Sequence, residues 1–299
     1  MANLLRRLRS SAPLATFLPA DLPPVRPGET ALVTGATSGI GRAVAVALRD
    51  AGFRVLGTSR TPHTADAPEG VELLPLDLAD PASIALLPGE LRSRGLSGSA
   101  DGGVTVLVNN AGESQNGPVE ELPRSALERV FQINTIGQIE VTQKVLTGMR
   151  NSRRGRVIFI GSMLGSFPLA YRGSYGASKA AVRQFAFAAR RELRGFGIGV
   201  SVVEPGAIAT GLSARRTVYV DPDGPYAGEF TTMLRRLNRN ESRGISAERV
   251  AAEIMKPVTA ARPAPLYAVG SQAPLAFAAA RLLPRDAMAG ILARRHGLR

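Results

Sequence analysis

Short apolar runs alternate with longer stretches of helical periodicity along most of the chain. The run TALVTG (30–35) stops at a glycine, residues 40–52 carry apolar side chains at helical spacing, and FRVLGTS (53–59) is again a short run. A strand, a helix and a strand within about 30 residues require a right-handed crossover and parallel pairing. The pattern therefore predicts a βαβ unit near the start of the chain.

The same alternation continues to about residue 270. Further strands are predicted at 71–76, 104–110, 155–162, 198–206 and 264–269, and helices at 81–93, from Pro123 to about Arg150, and around Tyr175. This order predicts an α/β fold, a doubly wound, Rossmann-like parallel sheet of about seven strands with helices on both faces. We expect a single domain over residues 28–270, an amino-terminal arm at 1–27 and a basic carboxyl-terminal extension at 271–299.

Composition excludes several kinds of chemistry. The chain has no cysteine and two histidines, His63 and His296, whose sequence surroundings share nothing. Disulfides, a thiol nucleophile and a metal site are therefore not expected. Pro13 and Pro19 interrupt the apolar stretch that follows the first arginines, so a signal peptide is not expected either. No run reaches the ~18 apolar residues of a membrane span, and we expect a cytoplasmic protein.

Part of the net charge of +13 lies at the carboxyl-terminal end. Six arginines against Asp286 give residues 262–299 a charge of +5, and no basic run is interleaved with stacking aromatic side chains. Specific nucleic-acid binding is therefore not expected. Residues 3–9 and 288–299 could form short cationic amphipathic helices that touch a membrane surface weakly, although we favour solvated arms.

Three glycines follow the first predicted strand with the spacing G-x-x-x-G-x-G. Gly35, Gly39 and Gly41 would let the backbone turn sharply and approach a pyrophosphate at the amino terminus of the next helix. A plain strand-to-helix turn is the alternative. The position between a strand and a helix favours a dinucleotide site.

The end of the second strand indicates the coenzyme. A site that prefers NAD(H) would carry Asp or Glu here to bind the ribose 2′-hydroxyl, whereas this chain has Ser59 and Arg60. A guanidinium pairs well with a 2′-phosphate, so we predict NADP(H) over NAD(H). A solvated surface arginine is the alternative.

Two more strand ends carry polar residues. Asp77 lies where it could meet the amino group of an adenine, and NNAG (109–112) ends the fourth strand with two amides and a glycine. Either segment could merely cap a turn. Their common position at one edge of the sheet favours a binding role.

Tyr175 and Lys179 are four residues apart on a predicted helix, so both can point into one cleft. A free phenol loses its proton at about pH 10, and a nearby ammonium favours the phenolate. Such a tyrosine can protonate a carbonyl oxygen while a nicotinamide delivers hydride to the carbon. Taken alone, the pair is more typical of a solvated helix face.

The motifs together resemble those of the short-chain dehydrogenase/reductase family over about residues 28–270. They occur in the family's order: TGATSGIG (34–41), DL (77–78), NNAG (109–112), Asn134 in FQINTIG, Ser162 in IGSMLG, YGASK (175–179) and PGAIAT (205–210). The resemblance implies an oxidoreductase that transfers hydride between a nicotinamide and a carbonyl or secondary alcohol.

The resemblance also implies the role of each catalytic residue. Tyr175 is expected as the acid/base, and Lys179 as the residue that makes the tyrosine more acidic and binds the nicotinamide ribose. Ser162 is expected to polarise the substrate carbonyl. Asn134 matches the asparagine that kinks its helix and holds a water in a proton relay to the lysine.

The expected cofactor site combines the glycine loop, the strand ends and the family motifs. Its residues are Gly35, Thr37, Ser38, Gly39, Ile40, Gly41, Ser59, Arg60, Asp77, Leu78, Asn109, Asn110, Ala111, Gly112, Tyr175, Lys179, Pro205, Gly206, Ile208 and Thr210. Members of the family that use NADP(H) often carry a basic residue at the position of Ser38. Arg60 is therefore the main support for NADP(H) here.

The region after the sixth strand, 211–246, is expected to form a lid over the substrate. It contains Tyr219, Tyr226, Phe230, Met233 and Leu234. An apolar lid would favour a hydrophobic ketone, aldehyde or alcohol such as a steroid-, retinoid- or fatty-acyl-like compound. Ordinary packing of these side chains against the core is the alternative.

The favoured function is an NADP(H)-dependent carbonyl reductase, reversible as an alcohol dehydrogenase. The alternative is a non-catalytic dinucleotide-binding regulator or a membrane-associated scaffold. The complete catalytic set favours the enzyme, since a protein that only binds has no need of every proton-transfer residue. The resemblance further implies a homodimer or homotetramer formed through the helices that hold Asn134 and Tyr175.

Overall fold

A computed structural model describes residues 21–96, 103–209, 211 and 215–298. Seven strands form its central sheet: β1 (Thr30–Val33), β2 (Arg54–Ser59), β3 (Val71–Pro75), β4 (Val104–Asn109), β6 (Gly155–Ile160), β7 (Ile198–Pro205) and β9 (Leu266–Val269). Their spatial order is β3-β2-β1-β4-β6-β7-β9, and every pairing is parallel. The predicted doubly wound sheet is confirmed.

Helices cover both faces of this sheet. They are α1 (Gly39–Asp50), α2 (Pro81–Arg92), α3 (Arg124–Phe131), α4 (Gly137–Asn151), α5 (Met163–Ser166), α6 (Gly173–Leu193), α7 (Ala227–Ser242), α8 (Ala247–Thr259), α9 (Ala273–Leu282) and α10 (Arg285–Arg295). Among the described residues, no helix is both long and apolar enough to cross a membrane.

The core consists of two main layers, one on each face of the sheet. In β1, Leu32 packs into one layer, whereas its neighbours Ala31 and Val33 pack into the other. Successive side chains of a strand point to opposite faces, so a strand covered on both faces is apolar throughout. This explains why the strands are continuous apolar runs in the sequence.

The chain reverses direction across the sheet between β1 and β4. From β1 it passes to β2 and β3 on one side, and then crosses to β4 on the other side of β1. Ligands of such sheets bind beyond the carboxyl ends of the strands at this switch point. The loops after β1 and β4, which contain the predicted cofactor motifs, therefore lie next to each other.

The predicted helix from Pro123 to about Arg150 is divided in the structure. A π-helical turn at Gln132–Ile136 separates α3 from α4. A small second sheet was also not predicted: β5 (Gln115–Asn116) pairs in parallel with β8 (Thr217–Val218). It ties the segment after β7 to the segment after β4.

The carboxyl-terminal extension is not a solvated arm, and that expectation is wrong for the described residues. Its helices α9 and α10 pack on the body of the protein, where Met288 and Leu292 contact a cluster with Met163 and Phe167. The rings of Phe167 and Phe277 meet edge to face, with their centres 4.9 Å apart. Apolar contacts therefore hold the extension in place. Residues 3–9 lie outside the described part of the chain.

Candidate active site

The loop between β1 and α1 has the geometry of a phosphate cradle. Gly35 and Gly39 adopt positive φ angles of 68° and 53°. A Cβ atom on Gly41 would lie 2.1 Å from the carbonyl oxygen of Gly35, so no larger residue fits without a shift of the backbone. The Ser38 side chain makes no capping hydrogen bond to α1. The first N–H groups of the helix are therefore available to a phosphate, and the loop fits a dinucleotide.

The remaining residues of this region support the loop or lie at its rim. Ile40 packs against the core, and Thr37 is half-buried in the loop. Ser59 ends β2, where its hydroxyl oxygen accepts the Thr61 N–H at 3.2 Å. Arg60 is exposed, and it forms no hydrogen bond or ion pair within the described ranges.

Asp77 caps a turn, as the alternative interpretation of its motif expected. Its Oδ1 accepts the Ala79 N–H at 2.9 Å, and its own N–H donates to Ser83 Oγ at 2.9 Å. Leu78 is buried, and its carbonyl oxygen accepts from Gln132 Nε2 at 3.1 Å. Asp77 is half-buried, and its Oδ2 makes no hydrogen bond with the residues that the structure describes.

The NNAG segment is hydrogen-bonded to the end of β1. Asn110 Nδ2 donates to the Thr34 carbonyl at 2.9 Å, and the Ala111 N–H donates to Thr34 Oγ1 at 2.9 Å. Asn109 is fully buried and donates to Thr142 Oγ1 at 2.8 Å. These bonds fix the loop after β4 against the glycine loop, and so define the floor of the crevice.

Asn134 lies in the π turn and connects three segments. Its Oδ1 accepts the Glu113 N–H at 2.8 Å, while Nδ2 donates to the Glu113 carbonyl at 3.0 Å and to Ser178 Oγ at 3.1 Å. A Cβ atom on Gly112 would lie 2.8 Å from Asn134 Oδ1 and 3.5 Å from Lys179 Nζ. The lysine therefore lies next to the NNAG segment and the interrupted helix.

Lys179 is buried on α6, with 4% of its surface exposed. Its Nζ donates to the Ile160 carbonyl at the end of β6, at 2.8 Å. Burial lowers the pKa of Lys179 to about 8, because the surroundings disfavour the charged ammonium. The amine is therefore close to its titration range near neutral pH.

Ser162 and Tyr175 line one cavity of about 160 Å³. Ser162 is the residue before α5, and its Oγ accepts the Leu164 N–H at 3.2 Å. The serine proton is therefore free to be donated to another group, such as a carbonyl oxygen. Tyr175 lies on α6, one turn before Lys179. The structure thus brings the predicted serine and tyrosine together, with the lysine buried behind them.

Arg172 is a residue of this site that the sequence motifs did not indicate. Its guanidinium carbon lies 4.2 Å from the centre of the Tyr175 ring. Nη1 donates to Ser114 Oγ, the Gln115 carbonyl and Asn116 Oδ1 at 2.6–2.9 Å. Burial lowers the pKa of Arg172 to about 10. The hydrogen-bond partners of its side chain are more than 50 positions away in the sequence, so no local pattern could identify these bonds.

The segment after β7 and the carboxyl-terminal helices form the remaining walls. Pro205, Gly206 and Ile208, which are expected around the nicotinamide, line the cavity, whereas Thr210 lies outside the described residues. Helices α9 and α10 and the turn after them add five further lining residues: Ala276, Met288, Leu292, Arg295 and His296. None of these five was expected from the sequence.

The five aromatic and apolar residues named for the expected lid do not line the cavity. Phe230 and Met233 are buried in a cluster with Leu169 and Leu298. They therefore pack against the core, which was the alternative to a substrate lid. The Tyr226 hydroxyl donates to Glu120 at 2.6 Å. On α7 the cavity is lined instead by Leu237, Asn240 and Glu241. The apolar stripe of α7 thus faces the core, and the end of the helix borders the cavity.

Comparisons with known proteins agree with this architecture. A family model described as short chain dehydrogenase matches residues 29–218. The chain is 31% identical to a 3-ketodihydrosphingosine reductase of Bacteroides thetaiotaomicron, over 83% of this chain and 90% of the relative. It is 30% identical to an NADPH-dependent 3-dehydrocapnine reductase of Ornithobacterium rhinotracheale, over 85% and 92%.

A solved structure gives the same result. The crystal structure of a short-chain dehydrogenase from Streptomyces avermitilis superposes with a TM-score of 0.75 at 32% identity, and covers 89% of this chain and 95% of its own. The chain therefore belongs to the short-chain dehydrogenase/reductase family. It is an oxidoreductase of the kind that interconverts CH–OH and C=O groups with a nicotinamide dinucleotide.

Proposed function

We propose that this protein is an NADP(H)-dependent carbonyl reductase in which Tyr175 is the acid/base. The observation that carries the proposal is the common cavity of Ser162 and Tyr175, with Lys179 buried one turn further along α6. The reaction is reversible, so the same site can oxidise a secondary alcohol. A regulator that only binds a dinucleotide would have no need of this arrangement.

The chain's own residues divide the work of carbonyl reduction. NADPH, held by the glycine loop and the strand ends, would supply the hydride for the carbonyl carbon. Ser162 donates its free hydroxyl proton in a hydrogen bond to the carbonyl oxygen, and Tyr175 transfers a proton to that oxygen. Lys179 favours the tyrosinate that remains and binds the nicotinamide ribose. Asn134 positions the π turn beside the lysine, where a relay water would bind.

The preference for NADP(H) over NAD(H) rests on Arg60. Its guanidinium is exposed at the end of β2 and is not neutralised by any carboxylate that the structure describes. A 2′-phosphate would provide that missing partner. One relative is named as NADPH-dependent, which supports the same coenzyme here. The unaltered protein should bind NADPH more tightly than NADH in fluorescence titrations, and equal dissociation constants would contradict the preference.

The cavity favours a hydrophobic substrate. Met163, Phe167, Leu237, Met288 and Leu292 all contribute apolar surface to its wall. Relatives named as 3-ketodihydrosphingosine and 3-dehydrocapnine reductases indicate which ketones to test first. We expect consumption of NADPH with 3-ketodihydrosphingosine or other lipophilic ketones, and activity confined to small polar sugars would contradict this substrate class.

Substitution of Tyr175 tests the catalytic assignment. The Tyr175→Phe change removes the proton donor while the ring keeps its place under Arg172, so turnover should fall about 10²–10⁴-fold. The dissociation constant for NADPH and the melting temperature should stay close to those of the unaltered protein. Both are measured beside steady-state rates. A variant that keeps most of its reductase activity would rule out Tyr175 as the acid/base.

The proposal includes assembly and location. Phe185 on α6 and Ile136 beside α4 are large apolar side chains left exposed, which supports a homodimer or homotetramer through these helices. Leu282 is exposed beside Arg281, an arrangement suited to weak contact with an anionic membrane surface. The cytoplasmic location stays a prediction.

A further inference from the structure

Two neighbouring arginines in the segment after β7 bind different parts of the protein. Arg216 donates to Asn238 Oδ1 at 2.9 Å and to the two carboxylate oxygens of Glu241 at 2.5 and 2.6 Å. The Arg216 side chain is 2% exposed. This buried ion pair holds the backbone of the segment to α7. It therefore also fixes the starting position of the adjacent side chain, Arg215.

Arg215 reaches the glycine loop. Its Nη1 donates to Ser38 Oγ at 3.2 Å, across a separation of 177 positions in the sequence. Ser38 occupies the position where relatives that use NADP(H) often carry a basic residue. The positive charge that residue 38 lacks is thus supplied to the same loop by a side chain from the segment after β7.

The positive charge at this contact is not balanced by a nearby carboxylate among the described residues. The amino terminus of α1 carries a partial positive charge, and its first turn contains no acidic residue. Arg42 on the same helix is neutralised by Asp66 at 3.0 Å. Arg215, in contrast, forms no ion pair with any residue in the described ranges. A guanidinium beside the positive end of a helix is unfavourable unless an anion binds there.

We propose that Arg215 is a phosphate-binding residue for the dinucleotide. Its guanidinium binds either the pyrophosphate or the 2′-phosphate at the amino terminus of α1, an inference that rests on the dinucleotide site proposed above. The segment continues into β8, which pairs with β5, while Arg216 pairs with Glu241 in the cavity wall. A phosphate bound by Arg215 is therefore linked, through the adjacent Arg216, to the wall of the cavity.

Equilibrium binding of NADPH and NADH to Arg215→Gln tests the inference without reference to turnover. Loss of one charge-assisted hydrogen bond should weaken binding about tenfold. Arg235→Gln, which removes an exposed arginine from α7, is the matched control and should bind as the unaltered protein does. Arg215→Lys keeps the charge and should recover part of the affinity. The affinity of Arg215→Gln should also fall less steeply with added salt.

A comparison of NADPH with NADH shows which phosphate group Arg215 binds, because both carry the pyrophosphate and only NADPH carries the 2′-phosphate. Weaker binding of NADPH alone assigns Arg215 to the 2′-phosphate, whereas equal weakening of NADPH and NADH assigns it to the pyrophosphate. If Arg215→Gln binds both nucleotides as tightly as the Arg235→Gln control, the inference is wrong while the dinucleotide site stands. If the unaltered protein binds neither nucleotide, the proposed function and the inference fail together.

Discussion

At the scale of a single residue, burial changes the acid–base behaviour of Lys179. Its ammonium has one hydrogen-bond partner among the described residues, the Ile160 carbonyl, and almost no access to water. The same desolvation that lowers its pKa to about 8 makes the charged form costly in the folded protein. A dinucleotide ribose beside it would offer further hydrogen-bond acceptors.

This cost should appear as a rise in stability with pH. The folded pKa of about 8 lies below the value of about 10.4 of an unfolded lysine, so the unfolded chain binds more protons between these values. The free energy of unfolding should therefore increase from pH 8 to about pH 10.4, by about 3 kcal/mol at most. Urea unfolding at a series of pH values, without dinucleotide, measures it.

Two lysine substitutions test whether Lys179 causes the rise of stability with pH. The chain has three lysines, so Lys179 can be compared with a lysine elsewhere in the fold. Lys179→Met should lose the rise, whereas Lys144→Met, which removes an exposed ammonium on α4, should keep it. The same pH dependence in both variants would show that Lys179 is not the responsible group.

At the scale of elements, some helices have a side-chain cap at their amino terminus, whereas α1 has none. Asp80 caps α2 by accepting the Ala82 N–H, and Ser246 caps α8 by accepting the Arg249 N–H. Ser38 precedes α1 in the same extended conformation but makes no such bond. The end of α1 therefore keeps free N–H donors where the sheet has its switch point, which is what phosphate binding needs.

A pair of glycine substitutions tests the cradle. Gly41→Ala places a Cβ atom against the Gly35 carbonyl and should weaken NADPH binding strongly while costing about 1–3 kcal/mol of stability. Gly89 lies on the exposed side of α2, where an added Cβ atom would meet only Arg92 Nη2, at 3.8 Å. Gly89→Ala should stabilise the protein by about 0.5–1 kcal/mol and leave NADPH binding unchanged. NADPH titration measures the affinity of both variants, and urea unfolding measures their stability. Equal NADPH affinities of Gly41→Ala and Gly89→Ala would contradict the assignment of the loop as a phosphate cradle.

At the scale of the whole molecule, the candidate site is assembled from distant parts of the chain. The glycine loop and NNAG come from the first half of the chain, whereas the cavity is lined by residues between Gly161 and His296, and α9 and α10 supply part of its wall from the last thirty residues. Met288 and Leu292 face the body of the protein, and Ile291, between them in sequence, is 52% exposed. Helix α10 therefore has apolar side chains on both its inner and its outer surface.

Substitutions at two neighbouring residues of α10, Leu292 and Ile291, test whether this helix forms part of the substrate wall. Leu292→Trp projects a larger ring into a cavity of about 160 Å³ and should raise KM for bulky ketones more than for small ones. The dissociation constant for NADPH should not change. Ile291→Trp adds the same ring on the outer surface and should leave the kinetics unaltered. Steady-state kinetics with ketones of graded size measure both, and identical profiles would remove α10 from the substrate wall.

Much of the fold and of the cofactor site could be predicted from local patterns. The strands of the central sheet are apolar runs that end at the predicted loops, because a sheet buried on both faces selects apolar residues throughout. Gly41 was identified because a turn that approaches so closely admits no side chain. Tyr175 and Lys179 were paired through the period of a single helix. Each of these signals lies within a few residues of the chain.

Contacts between distant segments escaped that kind of reasoning. No sequence motif indicates Arg172, because only the fold places Asn116 and its neighbours around its guanidinium. Phe230 looked like a substrate contact, but α7 turns it towards Leu169 and Leu298. The wall formed by α9 and α10 depends on Phe277 reaching Phe167. Spacing along a chain specifies which side chains share a face, whereas the packing of one element on another specifies what that face meets.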